Sequence, residues 1–532
     1  MKPNTVLRAL PPGGWAGVGL MVAGLIGASL LAAPTHASGD AQTLRVALHA
    51  DIASINPGVN RDANADMVLA HVVEGLVAYG EDLKIKPVLA ESWQVKDDGR
   101  VYEFKLRPNV HFQNGAVLTA DNVVWNFKRY LNPKTNFQCA NRYNGKIGPA
   151  MQDVQALDPL TVRFTFSAPA PNFPMTMATL QCTPWILHPD SVKADGSFAA
   201  PIGTGPYAFS GMMPGRQLDL KRFEGYDALP GARDGYAGNK TAGIPVLRFM
   251  TVPDASTRSN GLLSGDLDVV DGIEPTTIAT LRGQGIPVQV QQTPGWLVMQ
   301  VQSTAPALQD VRMRQAIAHA LSLPDLAEAS GEGLYTANPS VLAPQSPYYD
   351  ARSKAWPAYD PAATRKLLAQ AGYKGQPITL LVANRQERVQ VATIVQAMLA
   401  ASGINVELKV RDWASQLDLY GRGQYELAIF GYSARLDPLL MYESLIGDKK
   451  VEPTRQWDSP EAAALLKQVA MEPDLAKRRD LFNQMHALMA RDIPIIGLFN
   501  LPVVTALRPA VQDYQGWPAG THRFWGVTKT QP

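Results

Sequence analysis

Cysteine is nearly missing from this 532-residue chain, which holds only Cys139 and Cys182. Zinc ribbons, thiolate clusters and Cys-x-x-Cys redox centres are thereby excluded, since each needs more thiolates or a closer spacing. Charge is sparse as well, with Asp, Glu, Lys and Arg together making 18% of the residues. Lys and Arg number 49 against 47 Asp and Glu, and Lys2 and Arg8 lie in an acid-free leader, residues 1–37. Without that leader the formal charge is zero, so the body of the chain has no overall attraction for nucleic acid or an anionic membrane, which leaves only a local patch to provide one. The eight histidines are scattered, and His71, His111, His188, His319 and His486 each stand alone among apolar or turn residues. No Gly-x-Ser-x-Gly elbow, Walker loop or His-Glu-x-x-His helix occurs. Asp266 and Asp268 form a close carboxylate pair, but Gly265 before them reads as a turn entering a strand at Val269-Val270.

What is present is apolar material, 46% of the chain, over a length that predicts two or three domains. The leader joins a basic start to an apolar run over 17–33, then Pro34-Thr35-His36-Ala37 with small residues at both recognition positions. That is the pattern of a secretory signal peptide cut near Ala37; the competing reading is a permanent anchor. Export suits the two cysteines, which an oxidising compartment would join. The alternative is two separate buried thiols. The bridge would stabilise the fold by about 4 kcal/mol at most in the chain-entropy account.

Periodicity predicts strands at Leu44-Arg45-Val46-Ala47-Leu48, at 101–106 and around Val162, and a helix over 66–76. Thr119 or Asp121 caps a further helix through Val123 and Phe127. Later the alternation becomes regular. Asp360-Pro361 opens a helix that Gly372 closes, 378–382 is a strand, and Val391 to Leu399 mark a helical face. Strands at 404–410 and 425–430 follow, with a short helix at 415–420 between them. Strand-helix-strand order predicts an α/β domain with mainly parallel strands. Ligands of such sheets bind beyond the carboxyl ends of the strands, which selects Arg411-Asp412-Trp413 and Gly431 to Pro438.

Several segments together resemble one family, the extracytoplasmic solute-binding proteins of ABC importers of the dipeptide, oligopeptide and nickel-binding kind (family 5). They are Glu74-Gly75-Leu76, Pro87-Val88-Leu89-Ala90-Glu91-Ser92-Trp93, Phe104-Lys105-Leu106-Arg107 and Val110-His111-Phe112-Gln113-Asn114-Gly115. Leu118 to Val123, Gly203-Thr204-Gly205-Pro206-Tyr207, Asp310 to Ile317 and Tyr425 to Pro438 continue the series in family order. The resemblance implies the α/β, two-lobed periplasmic-binding-protein fold, with an extra subdomain inserted in lobe I and a hinge of two crossing strands. Its expected divisions are a signal peptide over 1–37, lobe I over 38–85, and the inserted subdomain over 86–201. Lobe I resumes with the first hinge over 202–301, lobe II covers 302–492, and 493–532 supplies the second hinge and the lobe I tail. The crossing strands are expected near 295–301 and 493–498.

The resemblance also implies site residues. Peptide binders of the family carry an Asp shortly before the retained Asp437-Pro438, where this chain has Arg435, and Tyr432 falls at a family Trp. A cation there reverses the preference for an ammonium and favours a carboxylate-bearing or otherwise anionic ligand. Alternatively, Arg435 is tied locally to Asp437. The family's carboxylate-binding Arg falls at Arg385, or at Arg388 if the alignment slips; Trp413 matches an aromatic lining the chamber, and Ser54 is a contact from the first lobe. The implied protein is a periplasmic, monomeric receptor without cofactor, metal site or catalysis. Its partners are a small-molecule or peptide ligand and the membrane permease subunits, not nucleic acid. A secreted hydrolase using the same cleft, or a metal-chelate or haem receptor on the same fold, is the alternative.

Overall fold

The computed structural model describes residues 42–530, and the expected signal peptide and its cleavage site lie outside them. A seven-stranded sheet organises the first lobe. Three of its strands, Thr43–Leu48, Val246–Thr251 and Val269–Asp271, run parallel, with Thr43–Leu48 between the other two. Leu44, Val46 and Leu48 alternate into the main core, while Ala47 faces a smaller cluster on the opposite side. Val503–Leu507, from the far end of the chain, pairs antiparallel with both Val269–Asp271 and Val288–Gln291.

The first helix spans Ala63–Leu69 and is shorter than its apolar spacing predicts. Asp62 caps it by accepting from Ala65 N at 2.9 Å. Beyond Ala70 the helix stops, and the carbonyl of Val72 accepts instead from Gly205 N at 3.0 Å and from Gln113 Nε2 at 2.8 Å.

The inserted segment carries a four-stranded antiparallel sheet, in the order Ala90–Lys96, Val101–Leu106, Thr161–Phe166, Met151–Asp158. Helix Ala120–Leu131 covers it, opened by a reciprocal Thr119/Asn122 capping box, so Thr119 rather than Asp121 is the cap. Buried rings fill the space beneath, with Phe127 and Phe164 centroids 4.7 Å apart. Burying each such ring stabilises by about 1.5–3 kcal/mol. Cys139 and Cys182 are joined in a disulfide with Cα atoms 5.4 Å apart.

The second lobe holds a six-stranded sheet. Ile378–Ala383, Val406–Arg411 and Leu427–Tyr432 are its parallel strands, and helices Gln386–Ala401 and Trp413–Gly421 connect them. Against them lie Trp296–Val301 and Ile495–Asn500, antiparallel to their neighbours. These two strands, expected to cross between lobes, are instead buried at the centre of the second sheet. Their six-residue runs are apolar on both faces apart from Gln300 and Asn500, as a central strand requires. Gly497 lets them close, since a Cβ there would stand 2.4 Å from the Trp296 ring. The crossings are 292–295 and 501–502. There Leu501 N donates to Gly295 O at 2.9 Å and Thr293 Oγ1 to Leu501 O at 2.8 Å.

Candidate functional site

The carboxyl ends of the two sets of parallel strands approach one another, since His49, just past Thr43–Leu48, lies within electrostatic reach of Arg385, just past Ile378–Ala383. From the second lobe, Leu427–Tyr432 delivers Tyr432 and then the segment 433–437. Tyr432 is buried, and its hydroxyl accepts from Gln300 Nε2 at 3.0 Å. Burial pushes its phenol well above the ordinary value. Phe430 and Tyr432 lie on the same side of the strand, with Tyr420 4.8 Å from Phe430. Trp413 tilts on Phe430 at 5.6 Å and is 39% exposed.

Arg435 is part-buried. Its Nη1 donates to Ser433 O at 3.0 Å and to Ser433 Oγ at 2.6 Å, while its Nε is buried without a hydrogen-bond partner. Desolvation, then repulsion from Arg61, lowers its pKa to about 10, which leaves it charged at neutral pH. Arg61 and Asp66 belong to the first lobe and form an ion pair there, with Arg61 Nε donating to Asp66 Oδ2 at 2.6 Å. Burial raises the Asp66 carboxyl; Arg61 and, across the cleft, Arg435 oppose that rise. Arg61 thus pairs directly with the buried Asp66 carboxylate, while Arg435 feels that carboxylate only through space and bonds Ser433.

Asp437 does not serve Arg435. It caps helix Pro438–Leu445 and pairs with Arg478, so both the expected ligand contact and the local-pair alternative give way to a structural role. The cause is the helix start: a buried Asp before Pro at the first position is held by the free amide of Leu439.

Arg385 stands at the start of helix Gln386–Ala401 and pairs with Glu387 at 2.8 Å. Arg388 is the more buried of the two, against Gly431, where a Cβ would come within 3.1 Å of its Nη2. Desolvation, then Arg385, lowers the Arg388 pKa to about 10. Opposite them in the first lobe are His49, at the end of Thr43–Leu48, and Asp271, at the end of Val269–Asp271. Desolvation lowers His49, with Asp271 opposing and Arg385 assisting. His522 Nε2 lies 3.5 Å from Asp271, and Tyr514 OH hydrogen-bonds His522 Nδ1 at 2.6 Å. Ser54 Oγ accepts from Asn56 N at 3.1 Å, which shapes the first-lobe loop and leaves its O–H to donate. Among the described residues no group of three or more His, Cys, Asp and Glu could hold a metal ion.

Sequence reasoning missed Arg61, Asp66, His49 and Asp271. Asp66 lies in the first turn of a helix, where an acid is routinely read as complementing the helix dipole. Only the tertiary approach of Arg435 marks it out.

The chain is 25% identical to Di/tripeptide-binding protein 1 of Pseudomonas aeruginosa (strain UCBPP-PA14), over 99% of both chains. Its fold matches the Helicobacter pylori periplasmic binding protein DppA, solved with the peptide STSA. There the TM-score is 0.81 at 24% identity, covering 92% of this chain and 98% of that one. AgaA of A. tumefaciens R10, solved with agropinic acid, gives a TM-score of 0.78 at 23% identity over 92% and 99%. Among the described residues no helix is long and apolar enough to cross a membrane. The model of the bacterial extracellular solute-binding proteins, family 5 Middle, matches residues 84–450, and the chain belongs to that family of substrate-binding proteins.

Proposed function

We propose that this chain is the periplasmic receptor of an ABC importer and captures a small peptide-like or carboxylate-bearing solute between its lobes without converting it. The observation that carries the ligand class is Arg435, whose guanidinium sits at a strand end in the cleft with Nε unpartnered. A solute carboxylate supplies the missing acceptor, and Tyr432 and the Arg385/Arg388 pair contact the rest of the molecule. AgaA, solved with agropinic acid, shows an acid bound on this fold. Di/tripeptide-binding protein 1, by its name, takes short peptides, so both chemistries fit the cleft's architecture. Contacts that exist only when both lobes touch the solute shift the population to the closed form, which the permease subunits engage.

The leader over 1–37 is removed on export, and the receptor acts as a monomer. Mass spectrometry of solute released from the exported protein identifies the ligand, and scattering with and without it measures closure. A smaller radius of gyration with ligand, recovered unchanged, is the expected result. Steady product formation lost with one cleft substitution would overturn the receptor reading in favour of a hydrolase.

A further inference from the structure

Among the described residues, the inserted subdomain makes polar contacts with the second lobe through Gln181, Arg142, Asn172 and Met175, whose sulfur accepts from Arg478 Nη1 at 3.9 Å. Gln181 Nε2 donates to the carbonyl of Ala434 at 2.9 Å, the peptide group immediately before Arg435. Arg142 pairs with Glu443 at 2.5 Å, with side chains 3% and 11% exposed. Asn172 Nδ2 donates to Ala470 O at 2.8 Å. Two of these contacts, those of Gln181 and Arg142, adjoin the disulfide. Gln181 adjoins Cys182 in the short helix Leu180–Cys182, and Arg142 ends the short helix Ala140–Arg142 that follows Cys139. The bridge therefore fixes the spacing of two arms that both grip the opposite lobe.

Arg435 needs such a brace. Its side chain is repelled by Arg61 and held only by Ser433, a neighbour on its own segment, so nothing in its own side-chain bonds fixes the segment's place in the cleft. The backbone is fixed just before it by Gln181 and just after it by Asp437 at the helix start. Binding groups lose effectiveness when displaced by a fraction of an ångström, so control of this peptide plane is control of the guanidinium.

We propose that Gln181 is a positioning residue for Arg435, braced by the Cys139–Cys182 bond, and that the inserted subdomain is a third jaw of the clamp. The proposal rests on the reading that Arg435 receives the solute's anionic group. Its test, however, needs no solute.

The Nε–H of Arg435, assigned by its loss in Arg435→Lys, is followed by side-chain NMR in the exported full chain. Gln181→Met keeps length but cannot donate, and Gln181→Glu cannot donate at neutral pH. Each is expected to speed water exchange at that N–H by about tenfold, the ratio that one lost buried hydrogen bond implies. The Nε–H of Arg388 should stay as in wild type. The Cys139→Ala/Cys182→Ala chain should behave like the Gln181 variants, and adding Gln181→Met to it should give no further change. Wild-type exchange at Arg435 in both Gln181 variants, or additive effects of bridge and Gln181, would overturn the proposal. An Arg435→Ala protein that binds its co-purified solute normally, with the exchange results as expected, would instead remove the anion reading and leave the brace.

Discussion

Asp437 gives its carboxylate to Arg478, at 3.4 Å, and to the amide of Leu439, at 3.0 Å. Both partners lie in its own lobe. Both contacts fall on Oδ1, and among the described residues Arg435 hydrogen-bonds the side chain of Ser433 rather than Asp437. Arg435→Ala is expected to weaken binding of the co-purified solute by about 2–4 kcal/mol, the loss of a charge-assisted hydrogen bond in a desolvated place. Arg435→Lys should restore part of it, because a point charge replaces a planar fork. Calorimetry decides, and an unchanged dissociation constant in a folded variant would end the idea.

Arg385 and Arg388 should separate in the same assay. Arg385 is about one-third exposed and already shares Glu387, so Arg385→Ala should cost about 1 kcal/mol or less and lose its effect in high salt. Arg388 is 14% exposed and its cationic form is strained by desolvation, so Arg388→Ala should either weaken binding in a salt-independent way or leave it alone and raise stability. Loss of stability with normal binding would contradict both outcomes.

Acid should unfold the protein through its buried imidazoles. His71 Nδ1 donates to Met67 O at 2.9 Å while its Nε2 accepts from Phe524 N at 3.1 Å, a pattern that requires the neutral ring. Burial lowers its pKa to about 3, and burial lowers His486 to about 4. In the unfolded chain both titrate near 6.5, so below that pH the unfolded state binds more protons. Their stabilisation is complete above pH 6.5 and falls by about 1.4 kcal/mol per pH unit for each ring as pH drops toward the folded values. Denaturant titrations at a series of acidic pH values read the slope, and His486→Gln should flatten it; a pH-independent stability from neutral to pH 4.5 would contradict the account.

The cysteines should show no free thiol in unreduced, denatured protein, since Cys139 and Cys182 are bonded and no other cysteine exists. Replacing both with Ala should lower stability by about 4 kcal/mol at most. Finding two titratable thiols in exported protein would refute the bridge.

Much of this molecule could be read before its coordinates. Asp360 caps its helix by accepting from Ala362 and Ala363, where Asp before Pro predicts it, and Val101–Leu106 lies at its predicted bounds. Local chemistry decides such elements. The strand predicted at 425–430 is displaced to Leu427–Tyr432, and Tyr425 just ahead of it donates its hydroxyl to Gln456 Oε1 at 3.0 Å. Arg435 was visible as a departure from the family pattern. Its surroundings were not, since Arg61, Asp66 and Gln181 meet it only through tertiary approach, and no periodicity encodes a contact 253 residues apart in sequence.

Strand Val503–Leu507 has a consequence for how the protein is made. It lies inside the first lobe's sheet, between Val288–Gln291 and Val269–Asp271, with neighbours on both edges. The lobe at the front of the sequence therefore stays open until Val503–Leu507, more than 200 residues after Val288–Gln291, has been synthesised. Its contacts are of high sequence separation, which slows folding and favours a late, nearly all-at-once closure. A nascent chain halted before Val503 would expose two unpaired strand edges, the state most easily kept unfolded by a holding chaperone and the one most exposed to proteolysis.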